Sequence, residues 1–230
     1  MKIIIILLIV PFLLQGCNKS GTSINSSTSS NTSNLPIGQS YQGGMIAYIF
    51  QKGDIGYISG ETHGIIAAPK DYIGTWSTTV TLLSNLKVEL KVVDSVYDNS
   101  VGLAKVSTQR IVNQFTYFGT GTANGTIIYP TPFSYQTPYA AKLCDTLVLN
   151  GYSDWWLPTV SELEIMNSVQ DKIALKSLSK YWSSNTNYIG TNLSNSGIYI
   201  YYTSSRAGLN GSIQFDDRLI QNYIRPIRYF

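Results

Sequence analysis

The stretch Gly151-Tyr152-Ser153-Asp154-Trp155-Trp156-Leu157-Pro158-Thr159-Val160-Ser161-Glu162-Leu163 decides the fold. Its second half is a helix start. Thr159 and Glu162 have the spacing of a capping box, in which hydroxyl and carboxylate each satisfy a backbone amide that the first turn leaves unpaired. Leu163, Met166 and Val169 or Gln170 follow at helical spacing, so the sequence predicts a helix that begins at Val160. Its first half carries two adjacent tryptophans, Trp155 and Trp156, which face differently in an extended chain.

Immediately upstream, Thr137-Pro138 has the form of an N-cap followed by proline at the first helical position. Ala140, Leu143, Cys144 and Leu147 then share one helical face, and Asn150-Gly151 ends the predicted helix. Earlier still, residues 45–50 and 64–69 are short apolar runs bounded by turn residues, as buried strands are. Residues 86–92 alternate strictly, Leu86, Val88, Leu90 and Val92 against Lys87, Glu89 and Lys91, as in a half-buried strand. Downstream of the helices, residues 197–202, 212–215 and 223–230 read as further strands, the last an edge strand because it contains Pro226.

The N-terminal region has another character. Lys2 precedes an apolar run over residues 3–14, too short for the ~20 residues that a membrane-spanning helix requires, but the length of a secretory signal. Leu14-Gln15-Gly16-Cys17 resembles a bacterial lipobox, so residues 1–16 are expected to be removed and Cys17 to be lipidated. The chain would then attach to a membrane through acyl chains, each buried methylene contributing about 0.8 kcal/mol. Up to Asn34 the sequence is almost wholly Ser, Thr, Asn and Gly, which cannot bury enough surface to order itself. Residues 17–36 therefore read as the lipidated cysteine and its tether, and 37–230 as one domain. The expected location is the bacterial cell envelope, at the outer membrane or cell surface.

Seventeen tyrosines, four tryptophans, nineteen glycines and 13% charged residues describe a strand- and loop-rich domain with a neutral polar surface. A net charge of +3 points to no nucleic-acid partner. Apart from Cys17 there is one cysteine, Cys144, so no disulfide is expected within the domain.

One ordered series combines these elements: residues 137–144, residues 151–159 with Glu162-Leu163, then Tyr181-Trp182-Ser183-Ser184, and terminal Ile224-Arg225-Pro226-Ile227-Arg228-Tyr229-Phe230. It resembles the bacterial family of the collagen-like adhesin (Lcl) C-terminal domain, which is similar to C-type lectin-like domains. Gly43-Gly44, residues 64–71 and residues 119–124 also look like parts of longer members, whereas the rest of 71–114 carries no part of the likeness. The resemblance implies an α+β fold with paired terminal strands, two helices and a loop-rich antiparallel sheet. It further implies a surface-attached, adhesin-like module that binds a glycan, a sulfated polysaccharide or a surface protein. Fold alone assigns none of these.

Trp155 and Trp182 belong to the fold-defining motifs, so packing explains them better than sugar stacking. Trp156 is the better ligand candidate, together with Tyr188, Tyr199 and Tyr201 in the tyrosine-rich strands and Arg206 and Arg218, whose forked donors suit sulfate or carboxylate. Arg225 and Arg228 are expected to be pinned by internal acceptors near the first strand. Cys144 reads as a buried hydrophobe. No cofactor or metal is assigned: the carboxylate and amide motifs of calcium-dependent lectins are missing, and adjacent Asp216-Asp217 reads as solvated. The sole histidine, His63, has no nucleophile in a recognisable motif, so no enzyme is expected. Two other readings stay open: a retroelement-diversified display protein, from the Tyr-, Asn- and Ser-rich stretch 183–222, and a structural envelope lipoprotein without a soluble ligand.

Overall fold

The computed structural model describes residues 35–77, 79–81, 87–89, 100–118, 122–123, 126–127, 139–186, 198–202, 211–216 and 218–230. The expected signal peptide, Cys17 and the tether up to Asn34 lie outside them, as do Thr137-Pro138, Tyr188 and Arg206. No helix among the described residues is long and apolar enough to cross a membrane.

Two sheets of mixed length carry the fold. The first has the order β1 (Ser40–Tyr41), β2 (Gly44–Ile49), β3 (Gly64–Ala67), β13 (Ile227–Tyr229), all antiparallel. The second has the order β11 (Ser212–Asp216), β10 (Ile198–Tyr202), β9 (Lys180–Thr186), β12 (Asn222–Ile224), β4 (Tyr72–Gly74). Its strands are antiparallel except for the β9–β12 pair, where Tyr181 stands beside Tyr223. Two small ribbons, β5 (Thr79–Thr81) with β6 (Lys87–Glu89) and β7 (Thr122–Ala123) with β8 (Thr126–Ile127), complete the described strands. The helices are α1 (Ala104–Phe118), α2 (Ala140–Asp145), α3 (Val160–Ser168) and α4 (Gln170–Ile173). The chain is thus α+β with largely antiparallel sheets, and Cys144 is free and buried.

Alternation along single strands divides the core. In β3, Ile65 and Ala67 join one cluster with Leu163, Met166 and Ile173 of the α3–α4 region, while Ile66 joins Ala68 and Trp155 in another. Both faces are covered, which is why this strand reads as an unbroken apolar run. In β9, Tyr181 enters the α3 side and Trp182 a third cluster with Ile111 and Val112 of α1 and Ala140 and Cys144 of α2. Each large aliphatic side chain among them contributes roughly 1.5–3 kcal/mol by leaving water. The three buried indoles also place their N–H groups: Trp76 donates to Ser183 O, Trp155 to Tyr152 O and Trp182 to Gly74 O.

The capping box forms as expected, with Thr159 and Glu162 satisfying each other's backbone amides, and α3 begins at Val160. Glu162 is fully buried and does more than cap. Its carboxylate also accepts from Gly102 N at 2.9 Å and from Tyr229 Oη at 2.6 Å, tying the approach to α1 and the last strand to the start of α3.

Several expectations need correction. The last segment is two strands: Pro226 has no N–H to extend a ladder, so β12 joins the second sheet and β13 the first. The last strand pairs with β3, which stands between it and β2, so the terminal strands are not direct neighbours. The edge position expected of the whole segment holds only for β13, which ends its ladder although Trp156 bonds to Ile227 from the other side, whereas β12 stands between β9 and β4. The fold has four described helices where two were expected. The unforeseen α1 buries Ala104, Ser107, Thr108, Ile111 and Val112, a helical face disguised by two hydroxyls. Thr108 uses its hydroxyl to accept from Leu157 N at 2.8 Å. The helix before Asn150 is shorter than expected, because Thr146 folds its hydroxyl back to Lys142 O and closes α2. Of the alternating stretch 86–92, the described part, Lys87–Glu89, is β6.

Candidate functional site

Two tight turns build one cleft. Gln42 and Gly43 join β1 to β2 with φ of +41° and +88°, and Asn150 and Gly151 join Leu149 to Tyr152 with +52° and +84°. Both central residues in the left-handed region make the turn that suits the twist of two paired strands, which explains glycine at each second position. Asn150 is therefore a hairpin residue rather than a helix stop.

The turns lock together. Asn150 Nδ2 donates to Gly43 O at 2.7 Å, and Gly43 lies so close to Tyr152 that a Cβ there would stand 2.6 Å from Cδ2. Between and beside them opens a cleft of about 800 Å³, lined by Tyr41, Gln42, Met45, Pro69, Asn150 and Tyr152 among others, with no charged side chain in its lining.

Arg228 of β13 supports it from behind. Its Nε and Nη2 donate to the two oxygens of Asp154 at 2.8 and 2.9 Å, while Nη1 donates to Gln42 O and, at 2.9 Å, to Gln42 Oε1. The guanidinium also lies 4.0 Å from the Tyr152 ring centroid, a stacked cation. Burial alone would raise the Asp154 carboxyl, but the hydrogen bonds and charge of Arg228 outweigh it and hold the group below the usual carboxylate range.

These bonds orient two carboxamides. Gln42 spends its oxygen on Arg228, which leaves Nε2 as donor; Asn150 spends its nitrogen on Gly43, which leaves Oδ1 as acceptor. No described residue bonds Gln42 Nε2, Asn150 Oδ1 or the hydroxyls of Tyr41 and Tyr152.

Of the site residues expected from sequence, Trp156 and Arg218 are not among the described residues that line the cleft. Trp156 is half-buried, exchanges two backbone hydrogen bonds with Ile227 at 2.7 and 2.9 Å, and carries Lys105 Nζ 5.5 Å from its ring centroid. Arg218 is 8% exposed, lies 6.0 Å from the Trp76 ring centroid, and its carbonyl accepts from Trp76 N and Ser77 N. Tyr199 and Tyr201 of β10 stand in register opposite Phe215 and Ile213 of β11; the tyrosine side chains lie outside what is described. Cys17, Tyr188 and Arg206 also lie outside.

Other readings meet the structure directly. Trp155 and Trp182 are fully buried. Arg228 is pinned by Gln42 beside the first strand, while Arg225 bonds Asp71 and the carbonyls of Ala68, Ile173 and Ala174. Burial pushes the Cys144 thiol far up, as an inert hydrophobe requires. His63 is held by Glu61 at 2.7 Å and Phe230 O at 2.9 Å, which raise its affinity for a proton. Among the described residues no three His, Cys, Asp or Glu side chains converge as metal ligands do.

Sequence reasoning missed Tyr41, Gln42, Asn150 and Tyr152. The available signal was the pair of turn dipeptides, Gln42-Gly43 and Asn150-Gly151, the second of them a strong hairpin mark. Compared with protein-family models and with curated proteins, the chain matches none.

Proposed function

We propose that the chain is a cell-envelope lipoprotein, anchored through Cys17, that displays a C-type lectin-like module for binding a glycan or another surface polymer. The observation that carries this reading is the cleft between the two turns, where tyrosines and pre-oriented carboxamides leave donors and acceptors unused on a firmly cored frame. Sites that bind ligands are concave and hold a few fixed polar groups among apolar and aromatic walls. The export and anchoring part rests on the apolar run 3–14, the lipobox-like Leu14-Gln15-Gly16-Cys17 and the polar tether. The reading gives the protein no catalytic role.

The test is a glycan array and a heparin column with the full chain in detergent. Binding that is weakened by altering the cleft, with folding retained, supports the module; silence on every surface contradicts it. Palmitate labelling that Cys17→Ser abolishes tests the anchor separately.

A further inference from the structure

We infer that the cleft between the Gln42-Gly43 and Asn150-Gly151 turns takes a neutral, hydroxyl- or acetamido-bearing sugar and discriminates against sulfated or carboxylated ones. The inference rests on the binding-module reading and names its ligand class.

Charge comes first. No charged side chain lines the cleft, and Arg228, which holds the lining residue Gln42, is already committed. Arg228 gives both edges of its fork to Asp154 and Gln42, so a sulfate that recruited it would have to displace a bidentate carboxylate. The displaced Asp154 would then face the incoming anion as a like charge. An anionic ligand gains nothing here to offset its lost hydration.

Hydrogen-bonding pattern comes second. A sugar hydroxyl both donates and accepts, and it is matched by a carboxamide nitrogen and a carboxamide oxygen held in fixed orientation. Gln42 Nε2 offers donors and Asn150 Oδ1 an acceptor, each fixed because its other end is bonded inside the protein. The hydroxyls of Tyr41 and Tyr152 add groups that donate or accept as the ligand demands. Groups fixed before binding lose little freedom on binding, which is how an uncharged site gains useful affinity. The volume of about 800 Å³ lies within the range typical of small-ligand sites.

The experiment titrates chito-, cello- and manno-oligosaccharides and, separately, heparin into the full chain, held in a zwitterionic detergent without a sugar headgroup, at low and high salt. Two variants accompany it: Asn150→Gly, which keeps the turn's positive φ and removes the carboxamide, and Tyr152→Phe, which keeps the ring under Arg228 and removes the hydroxyl. The expected result is binding of at least one neutral oligosaccharide, unaffected by salt, weakened roughly three- to tenfold by each variant as loss of one hydrogen bond implies, with heparin unbound. Heparin binding that fades with salt and ignores both variants would overturn the ligand class while leaving the module reading intact. Neutral-sugar binding that ignores both variants would overturn the site. No binding at all would remove the module reading and the inference with it.

Discussion

Arg225 and Arg228 stand three residues apart in one terminal segment, yet they serve two different regions. Arg225 is 1% exposed, and its donors go to Asp71 and to the carbonyls of Ala68, Ile173 and Ala174, where the β3–β4 connection meets the end of α4. Arg228 reaches the rim, where its Asp154 partner is 46% exposed and its other donors orient Gln42. The same side chain is a structural clamp where its donors go to a buried carboxylate and to backbone carbonyls, among them that of the cleft-lining Ala174, and a positioning group where one of them fixes the Gln42 carboxamide in the cleft. Breaking each pair in turn separates the two roles.

The largest effect is expected at the clamp. Arg225→Ala leaves Asp71 as a buried, uncompensated carboxylate and three carbonyls without donors, which costs about 3–5 kcal/mol. Equilibrium denaturation reads it; a loss under 1 kcal/mol would mean that the interior does not depend on this pair. Second is Gly43→Ala, where a positive φ of +88° and a 2.6 Å approach to Tyr152 combine. Strain and crowding together cost about 1–3 kcal/mol, visible as a lower thermal midpoint. Third is Arg228→Lys, which loses the fork and the stacked geometry but leaves a charge beside a half-exposed carboxylate. Its stability cost is below about 1 kcal/mol, while the Gln42 carboxamide loses its fixed orientation.

The interior was far more legible in the sequence than the cleft. Capping boxes, buried tryptophans and apolar runs are written in contiguous residues, and Thr159–Glu162, Trp155 and residues 64–69 announced their places. Arg225 and Arg228 were legible as internally bonded because the resemblance set them in a fold-defining motif. Three things were hidden. Helix α1 presents Ser107 and Thr108 on its buried face, so its apolar period is interrupted. Pro226 splits one apparent strand between two sheets, a decision made by partners far away in sequence. The cleft draws on residues 40–45, 69, 150, 152 and 174, neutral groups with no shared local pattern, and only pairing of two turns brings them together.

The finest distinction between the two regions lies in pH dependence. Burial raises the Glu162 carboxyl above its ordinary range, and the bonds from Tyr229, Thr159 and Gly102 only partly restore it. Its contribution to stability is complete below the unfolded-state value and is lost as pH rises through the folded one. Asp154, held below the ordinary range by Arg228 against the opposing effect of burial, contributes above its unfolded-state value and loses that as pH falls through the folded one. Thermal midpoints measured across pH should therefore show Glu162→Gln altering the limb above the ordinary carboxylate range and Asp154→Asn the limb below it. An exchange of limbs would contradict the electrostatics described for both regions.

The most direct test of the division between clamp and cleft is a paired titration of Arg225→Lys and Arg228→Lys with the tightest-binding neutral oligosaccharide, each alongside its own denaturation curve. The account predicts that Arg225→Lys lowers stability and leaves the affinity of the folded protein unchanged, whereas Arg228→Lys keeps most stability and weakens binding several-fold. The reverse pattern, or affinity that follows stability in both variants, would contradict it.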